Sequence, residues 1–242
     1  MPKTAILVDG SFYLRRARSL WGNISASERV DELMRYARYH ILRNNRARLE
    51  GGKRSLYRVF YYDCPPVVGK SVYQPWNGRN TTFGRTNPSY QWNSEFQDLL
   101  ASRTKIAMRM GTVTTTGLRY VPKKDAMKDL ASGVRAFSEL EQSDFELVGM
   151  KQSGVDMKIG LDVASLSQGR VVDQIILIAD DADFIPAIKT ARRAGVDFLL
   201  DPLGNHVSKE LLAQVDDLED LHESFRATSA EVVDGQADCV VR

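Results

Sequence analysis

The chain has 242 residues, 43% hydrophobic and 26% charged, and its 33 Lys and Arg against 31 Asp and Glu leave a formal net charge of +2. That is enough chain for one large α/β domain or two small ones, with the composition of a globular protein. No apolar run approaches the roughly 20 residues needed to cross a bilayer, and two distant cysteines, Cys64 and Cys239, argue against a disulfide framework or a structural zinc site and for a reducing cytoplasm. Met1-Pro2-Lys3-Thr4 leads into a strand-like run rather than a signal peptide. Thr4 to Val8 reads as a buried strand closed by Asp9-Gly10. Ser27 to about Leu49 repeats Val30, Leu33, Met34, Ala37, Ile41 and Leu42 at helical spacing, with Ser27 as N-cap and Gly51-Gly52 as the stop. Tyr57 to Tyr62 is aromatic and β-branched, a strand ended by Asp63-Cys64-Pro65-Pro66.

Residues 67–94 are rich in Gly, Asn, Pro, Ser, Thr and aromatics and read as a long loop insertion. Glu95 to Ser102 is expected to be helical and Ile106 to Met110 a strand. Val113 to Tyr120 is expected to form a short extension or hairpin around Gly117. Pro122 to about Leu140 reads as charged loop and weak helix, and Phe145 to Met150 as a short strand. The last third is rhythmic: helix from Asp156 to Leu166, strand from Val172 to Ile178, helix from Phe184 to Ala194 stopped by Gly195, strand from Val196 to Leu200, and a short helix from Ser208. That alternation indicates parallel βαβ units with right-handed crossovers. The expectation is one domain over residues 1–225, with residues 226–242 a flexible tail. Charge is uneven. Arginines crowd the stretch from Arg15 to Arg58, and acids crowd the end from Asp216 to Glu223. A basic cluster can attract phosphates or be a solvated helix face.

In a parallel sheet, residues just past the strand ends gather on one rim. Asp9 follows the first strand, Asp181 and Asp183 follow the apolar run Ile175 to Ala179, and Asp156 opens a helix after Gly154. Four carboxylates converging there repel one another and raise their own pKa values. A hard divalent cation, Mg²⁺ or Mn²⁺, is the natural counter-charge. Each acid also has a purely local explanation. Asp9-Gly10 suits a turn, Asp156 suits a helix first turn, and Asp181 or Asp183 can cap the helix that begins near Phe184. Asp162 lies six residues beyond Asp156, off the same helix face, and is a second-tier acid acting through water. Asp180 is expected to be exposed or structural. His40, His206 and His222 are read as structural or surface residues.

Three segments carry a family resemblance: Ala5-Ile6-Leu7-Val8-Asp9-Gly10-Ser11-Phe12-Tyr13-Leu14, Lys151-Gln152-Ser153-Gly154-Val155-Asp156-Met157-Lys158-Ile159-Gly160-Leu161-Asp162, and Ile178-Ala179-Asp180-Asp181-Ala182-Asp183-Phe184-Ile185-Pro186. They look like the three signatures of NYN domains, in the PIN-like nuclease superfamily, of the LabA/DUF88 type. The likeness extends through Leu200-Asp201-Pro202-Leu203 and covers residues 3 to about 222. It implies an α/β fold, a PIN-like three-layer α/β/α sandwich around a mainly parallel sheet, with an acidic metal site and ribonuclease activity. The family's acids fall on Asp9, Asp156, Asp181 and Asp183. Two positions depart from the pattern. Phe12 stands where many relatives carry Asn, and Asp180 stands where a small Gly is usual.

The resemblance leads to metal-dependent hydrolysis of RNA phosphodiester bonds, with those four acids as metal ligands and catalytic residues, and Mg²⁺ or Mn²⁺ as cofactor. Ser11, Arg15, Arg16, Arg109, Lys151 and Lys158 are candidate RNA contacts, with Arg79 and Arg85 in the insertion. Trp76, Phe83, Tyr90 and Trp92 could stack on unpaired bases or pack the insertion down, which points weakly to single-stranded RNA as the partner. The alternative is an RNA-binding or regulatory module with a weak or inactive site, favoured by Phe12 and Asp180. A haloacid-dehalogenase-like, Toprim or dinucleotide-binding reading fits poorly, because Asp9-Gly10-Ser11-Phe12 has neither the second Asp, the Glu nor the Gly-rich turn those require.

Overall fold

The computed structural model describes residues 1–47 and 53–226. In chain order its elements are β1 (Lys3–Asp9), α1 (Gly10–Trp21), α2 (Ala26–Ala47), β2 (Ser55–Asp63), β3 (Lys70–Gln74), β4 (Arg79–Phe83), α3 (Pro88–Ala101), β5 (Ile106–Met110), β6 (Thr112–Pro122), α4 (Lys124–Ala131), β7 (Phe145–Ser153), α5 (Val155–Gln168), β8 (Gln174–Ile178), α6 (Ile185–Arg193), β9 (Asp197–Asp201), α7 (Lys209–Leu212) and β10 (Asp217–Leu218). They fall into two compact units, one from Met1–Asp63, Phe96–Met110 and the chain from Gly154, the other from Cys64–Glu95 and Gly111–Ser153.

The first unit is built on a six-stranded sheet in the order β10-β9-β8-β1-β2-β5, every pair parallel. All five residues of β8 are buried, which is why its sequence is an unbroken apolar run rather than an alternating one. Successive side chains of a strand point to opposite faces. Ala5, Leu7, Phe60, Tyr62, Ile175, Leu177, Phe198 and Leu200 therefore share one face, packed with Ile159, Val163 and Leu166 of α5 and Ile188 and Ala191 of α6. The alternate residues Ile6, Val8, Tyr61, Ile176 and Ile178 are buried on the other face. There Tyr61 meets Phe96 of α3 at 5.6 Å, and α1 buries Phe12, Tyr13, Leu14 and Ala17. Each large side chain so buried contributes about 1.5–3 kcal/mol before conformational entropy is counted. The result is the expected α/β class, a parallel sheet flanked by helices.

Several local expectations are corrected. The N-cap of α2 is Ser25, not Ser27: Glu28 Oε2 accepts from the Ser25 backbone N–H at 2.9 Å and its hydroxyl at 2.6 Å, a capping box. The proposed Gly51-Gly52 stop and the tail beyond residue 226 lie outside the described residues. The acids near the end are not a free acidic segment. Asp216 accepts from Arg192 and from the Phe198 N–H, Glu219 partners His40, and Asp220 accepts from the Gly204 N–H, so they fasten the β9–β10 edge. Several basic residues of the first quarter are likewise used by the fold. Arg54 pairs with Asp197 at 2.7 Å, and Arg16 donates twice to the Leu203 carbonyl.

The second unit replaces the expected long loop. Residues 70–83 form an antiparallel β3–β4 hairpin, and α3 starts at Pro88 rather than near Glu95. Nor does Gly117 turn a hairpin. It sits at φ 65° in one long strand, β6, paired antiparallel with β7 across a register shift between Thr115 and Arg119. A Cβ on Gly149 would lie 2.6 Å from the Gly117 carbonyl carbon and oxygen, so this bulge needs glycine on both strands. Ala126, Leu140 and Phe145 form a small core, with Trp76, Tyr120 and Leu130 packed against it.

A buried polar network in the first unit has a pH signature. Asp201, at the end of β9, is fully buried and accepts from Tyr36 Oη at 2.5 Å and from the Leu203 N–H at 2.8 Å. His40 Nε2 lies 2.8 Å from the same carboxylate, and His40 Nδ1 lies 3.2 Å from Glu219. Burial alone would lower the His40 pKa, but the hydrogen bonds and charges of Asp201 and Glu219 outweigh it and push it up to about 9. The folded state thus holds this proton more tightly than the unfolded chain does. The stabilisation is fully present below about pH 6.5 and is lost as pH rises through about 9, about 3 kcal/mol in all. Thermal unfolding followed from pH 6 to 10 should show that decline, and His40→Gln should start lower and lack it.

Candidate active site

Strand order reverses between β1 and β8. From β1 the chain builds outward through β2 and β5, and from β8 it builds the other way through β9 and β10. At such a switch point the connections leave a crevice beyond the carboxyl ends of the strands. The register pairs Val8 with Ile178, so Asp9 and the Asp181–Asp183 segment leave neighbouring strands of the same rim.

Asp9 is both the last residue of β1 and the N-cap of α1. Its Oδ1 accepts from the Phe12 N–H at 3.1 Å and from the Ser11 hydroxyl at 3.0 Å. Gly10 follows because nothing larger fits: a Cβ there would come 2.6 Å from the Tyr61 ring and from the Tyr62 carbonyl oxygen. Gly10 is the first residue of a helix packed onto β2, not the second half of a turn. Asp181 is the N-cap of a 3-10 turn over Ala182–Phe184, and its Oδ1 accepts from the Asp183 N–H at 2.9 Å. Asp156 lies in the first turn of α5, after Gly154 at φ 82°. Asp9 therefore caps α1 where a turn was expected, and Asp181 caps the 3-10 turn rather than α6 itself; these bonds fix the direction of both carboxylates.

Burial holds the Asp9 carboxyl above the ordinary carboxylate range. The Phe12 and Ser11 hydrogen bonds oppose that shift and the Asp156 charge adds to it. Asp156 is raised by partial burial and then by the charges of Asp181 and Asp183. The four acids thus share one electrostatic field, and the charges that shift Asp156 are carboxylates only. Among the described residues, no three or more His, Cys, Asp or Glu side chains form a ready-made metal cage. A Mg²⁺ ion needs none, because it is held by one or two carboxylates and keeps waters or substrate oxygens for the rest. An all-oxygen donor set carrying unrelieved mutual repulsion fits a hard divalent cation.

The other acids have partners. Asp162 accepts from Tyr62 Oη at 2.8 Å and Arg109 Nε at 2.7 Å, and the Arg109 guanidinium also lies 5.1 Å from the Phe60 ring centre. The second-tier acid and the candidate RNA contact therefore engage each other. Asp180 accepts from Asn205 Nδ2 at 2.5 Å, a structural role. Phe12 is buried and brings no polar atom to the rim. Ser11 and Arg15 are exposed and Lys158 is half-buried, with the Arg15 guanidinium 5.9 Å from the centre of the Phe12 ring. Lys151 lies in β7, in the second unit. Asp63, already read as closing a strand, and Asp201 also end strands of this sheet, but sequence reasoning did not group them with the rim acids. Asp63 is buried and accepts from Gln97. What separates them is their partners: Asp201 is buried with Tyr36 and His40, whereas Asp9 and Asp181 each precede a helical turn whose N–H groups they cap.

The NYN domain family model matches residues 3–222 of the chain. A crystal structure of a Vibrio parahaemolyticus protein of unknown function is similar at a TM-score of 0.44 and 13% identity, covering 91% of this chain and 93% of that one. No curated protein matches the sequence.

The repulsion has a measurable sign. Carboxyls whose folded pKa is raised above the unfolded value destabilise the metal-free protein as pH rises through that folded value. At pH 7, without metal, Asp9→Asn should raise Tm by a few °C, because it removes a buried charge and its repulsion with Asp156 while the amide oxygen keeps the α1 cap. Adding Mg²⁺ or Mn²⁺ should raise the Tm of the parent and of Asp162→Asn, but not that of Asp9→Asn; differential scanning fluorimetry checks both.

Proposed function

The chain belongs to the NYN domain family of the PIN-like superfamily, and on that premise we propose that it is a metal-dependent ribonuclease hydrolysing RNA phosphodiester bonds at the β1–β8 rim. The observation that carries this reading is the field linking Asp9, Asp156, Asp181 and Asp183, in which Asp156 is raised first by burial and then by the charges of Asp181 and Asp183. Their oxygens would hold one or two Mg²⁺ or Mn²⁺ ions. When bound, such an ion supplies Lewis-acid polarisation of a phosphoryl group, acidification of an attacking water and neutralisation of charge on the leaving oxygen.

The chain's own residues orient that chemistry. Ser11 and the Phe12 N–H pin one oxygen of Asp9, which leaves its other oxygen for a cation. The Asp183 N–H pins Asp181 in the same way. The α1 N-terminus, with the exposed Ser11 hydroxyl, is suited to phosphate oxygens. Arg15 and Lys158 would bind neighbouring phosphates. Arg16 would contribute field more than contact, since its Nε and Nη2 already donate to the Leu203 carbonyl. Arg109, half-exposed beside Asp162, completes the proposed RNA contacts of the first unit, and Lys151 is a proposed contact of the second. Two of the three histidines are held by the fold: His40 is buried in the Asp201 network and His222 pairs with Asp220. Single-stranded RNA is the proposed substrate and the cytoplasm the proposed setting. Among the described residues, no helix is long and apolar enough to cross a membrane.

The second reading is an RNA-binding module with a weak site. It is favoured by Phe12, which leaves the first βα turn with a buried ring where a polar side chain would reach the rim. One experiment separates the two. End-labelled RNA incubated with Mn²⁺ should be cut by the parent and at least about 100-fold more slowly by Asp181→Asn. RNA that is retarded on a gel but left intact by both proteins selects the binding module.

A further inference from the structure

Residues 64–94 contain no Asp or Glu, yet carry Lys70, Arg79 and Arg85. In a chain with nearly equal numbers of acids and bases, this segment is locally and purely cationic. Among the described residues, no carboxylate pairs with these three side chains, and all three are exposed.

The hairpin formed by this segment has two unlike faces. Val72 is buried and Thr81, directly opposite it, is half-buried. The other face carries Ser71 opposite Thr82 and Tyr73 opposite Asn80, all four exposed. Tyr73 is 57% exposed, which leaves most of its ring available to a partner. The turn is rigid: Gly78 takes φ 67°, and the Asn77 side chain bridges Gln74 and the Arg79 N–H. Trp76 packs against Tyr120 at 4.7 Å and Phe145 at 5.4 Å, so it anchors the turn rather than offering a stacking surface.

The geometry points to the β3–β4 hairpin as a binding site for single-stranded RNA. Tyr73 is the base-stacking platform, Ser71, Asn80 and Thr82 are hydrogen-bonding neighbours on its face, and the exposed cations at the strand ends, Lys70 and Arg79 in register with the Val72 face, with Arg85 just beyond β4, are phosphate contacts. Bases stack on an exposed aromatic ring without sequence preference, and cations beside it follow the backbone. A duplex hides its bases from such a ring. The inference rests on RNA being the substrate class proposed above, and it assigns the grip to residues apart from the acids.

The test is binding of the full-length protein to a short, unstructured, fluorescently labelled RNA in EDTA, so that no cleavage intervenes, read by anisotropy. Tyr73→Ala should weaken binding about tenfold, and Tyr73→Phe, which keeps the ring, by less than about twofold. The triple variant Lys70→Ala, Arg79→Ala, Arg85→Ala should flatten the salt dependence by about 2 in log–log slope. A blunt duplex of the same sequence should bind more weakly and not respond to Tyr73. Unchanged Tms would show that the variants fold. Parent-like binding by Tyr73→Ala, an equal loss on duplex, or an unchanged salt slope overturns the assignment. Cleavage in Mn²⁺ is scored separately. A parent that binds through Tyr73 but never cuts overturns the nuclease reading and leaves this one standing. A parent that cuts while Tyr73→Ala binds normally does the reverse.

Discussion

Six parallel strands all end on one edge of the sheet, and an aspartate stands at or just past the end of four of them. Asp9, Asp63 and Asp201 close β1, β2 and β9, and Asp180 and Asp181 follow β8. Like charges gathered in this way must be neutralised, buried with donors, or left in mutual repulsion. How each one is handled is the physical fact from which both the stability and the chemistry of the first unit follow.

Most of the rim is satisfied by side-chain donors from within. Asp201 receives Tyr36, His40 and a backbone N–H. Asp63 receives Gln97 and Asp180 receives Asn205. Behind the rim, Asp162 receives Arg109 and Tyr62. These side chains tie helices and loops to strand ends and belong to the stability of the fold. Asp9, Asp156, Asp181 and Asp183 are treated differently. Among the described residues, Asp9 and Asp181 accept only from a backbone N–H or a neighbouring hydroxyl, and Asp156 is raised by burial and by the charges of Asp181 and Asp183. Retaining repulsion there costs stability, and that cost makes sense where an external cation relieves it.

The second unit solves a different problem. A small core of Ala126, Leu140, Phe145 and the rings packed on it supports two antiparallel ribbons, and strand alternation then decides which side chains are consumed and which are displayed. Of the aromatics between residues 70 and 80, Trp76 is consumed and Tyr73 is displayed. Sequence reasoning had offered Trp76, and not Tyr73, as a stacking ring.

The parallel sheet was legible in the sequence because buried strands flanked by helices leave unbroken apolar runs, as in Ile175 to Ile178, and because amphipathic spacing marks α2, α5 and α6. The positions of the strand-end acids were legible for the same reason, and so was the resemblance that grouped four of them. The β3–β4 hairpin was hidden by short strands of modest β-propensity, although Asn77-Gly78 was a usable turn signal. What only the tertiary structure decided is which acids have partners. Asp162 finds Arg109 across 53 residues, and His40 finds Asp201 across 161. Such pairings depend on which helix lies over which strand, and local patterning specifies the elements while long-range packing alone sets their neighbours.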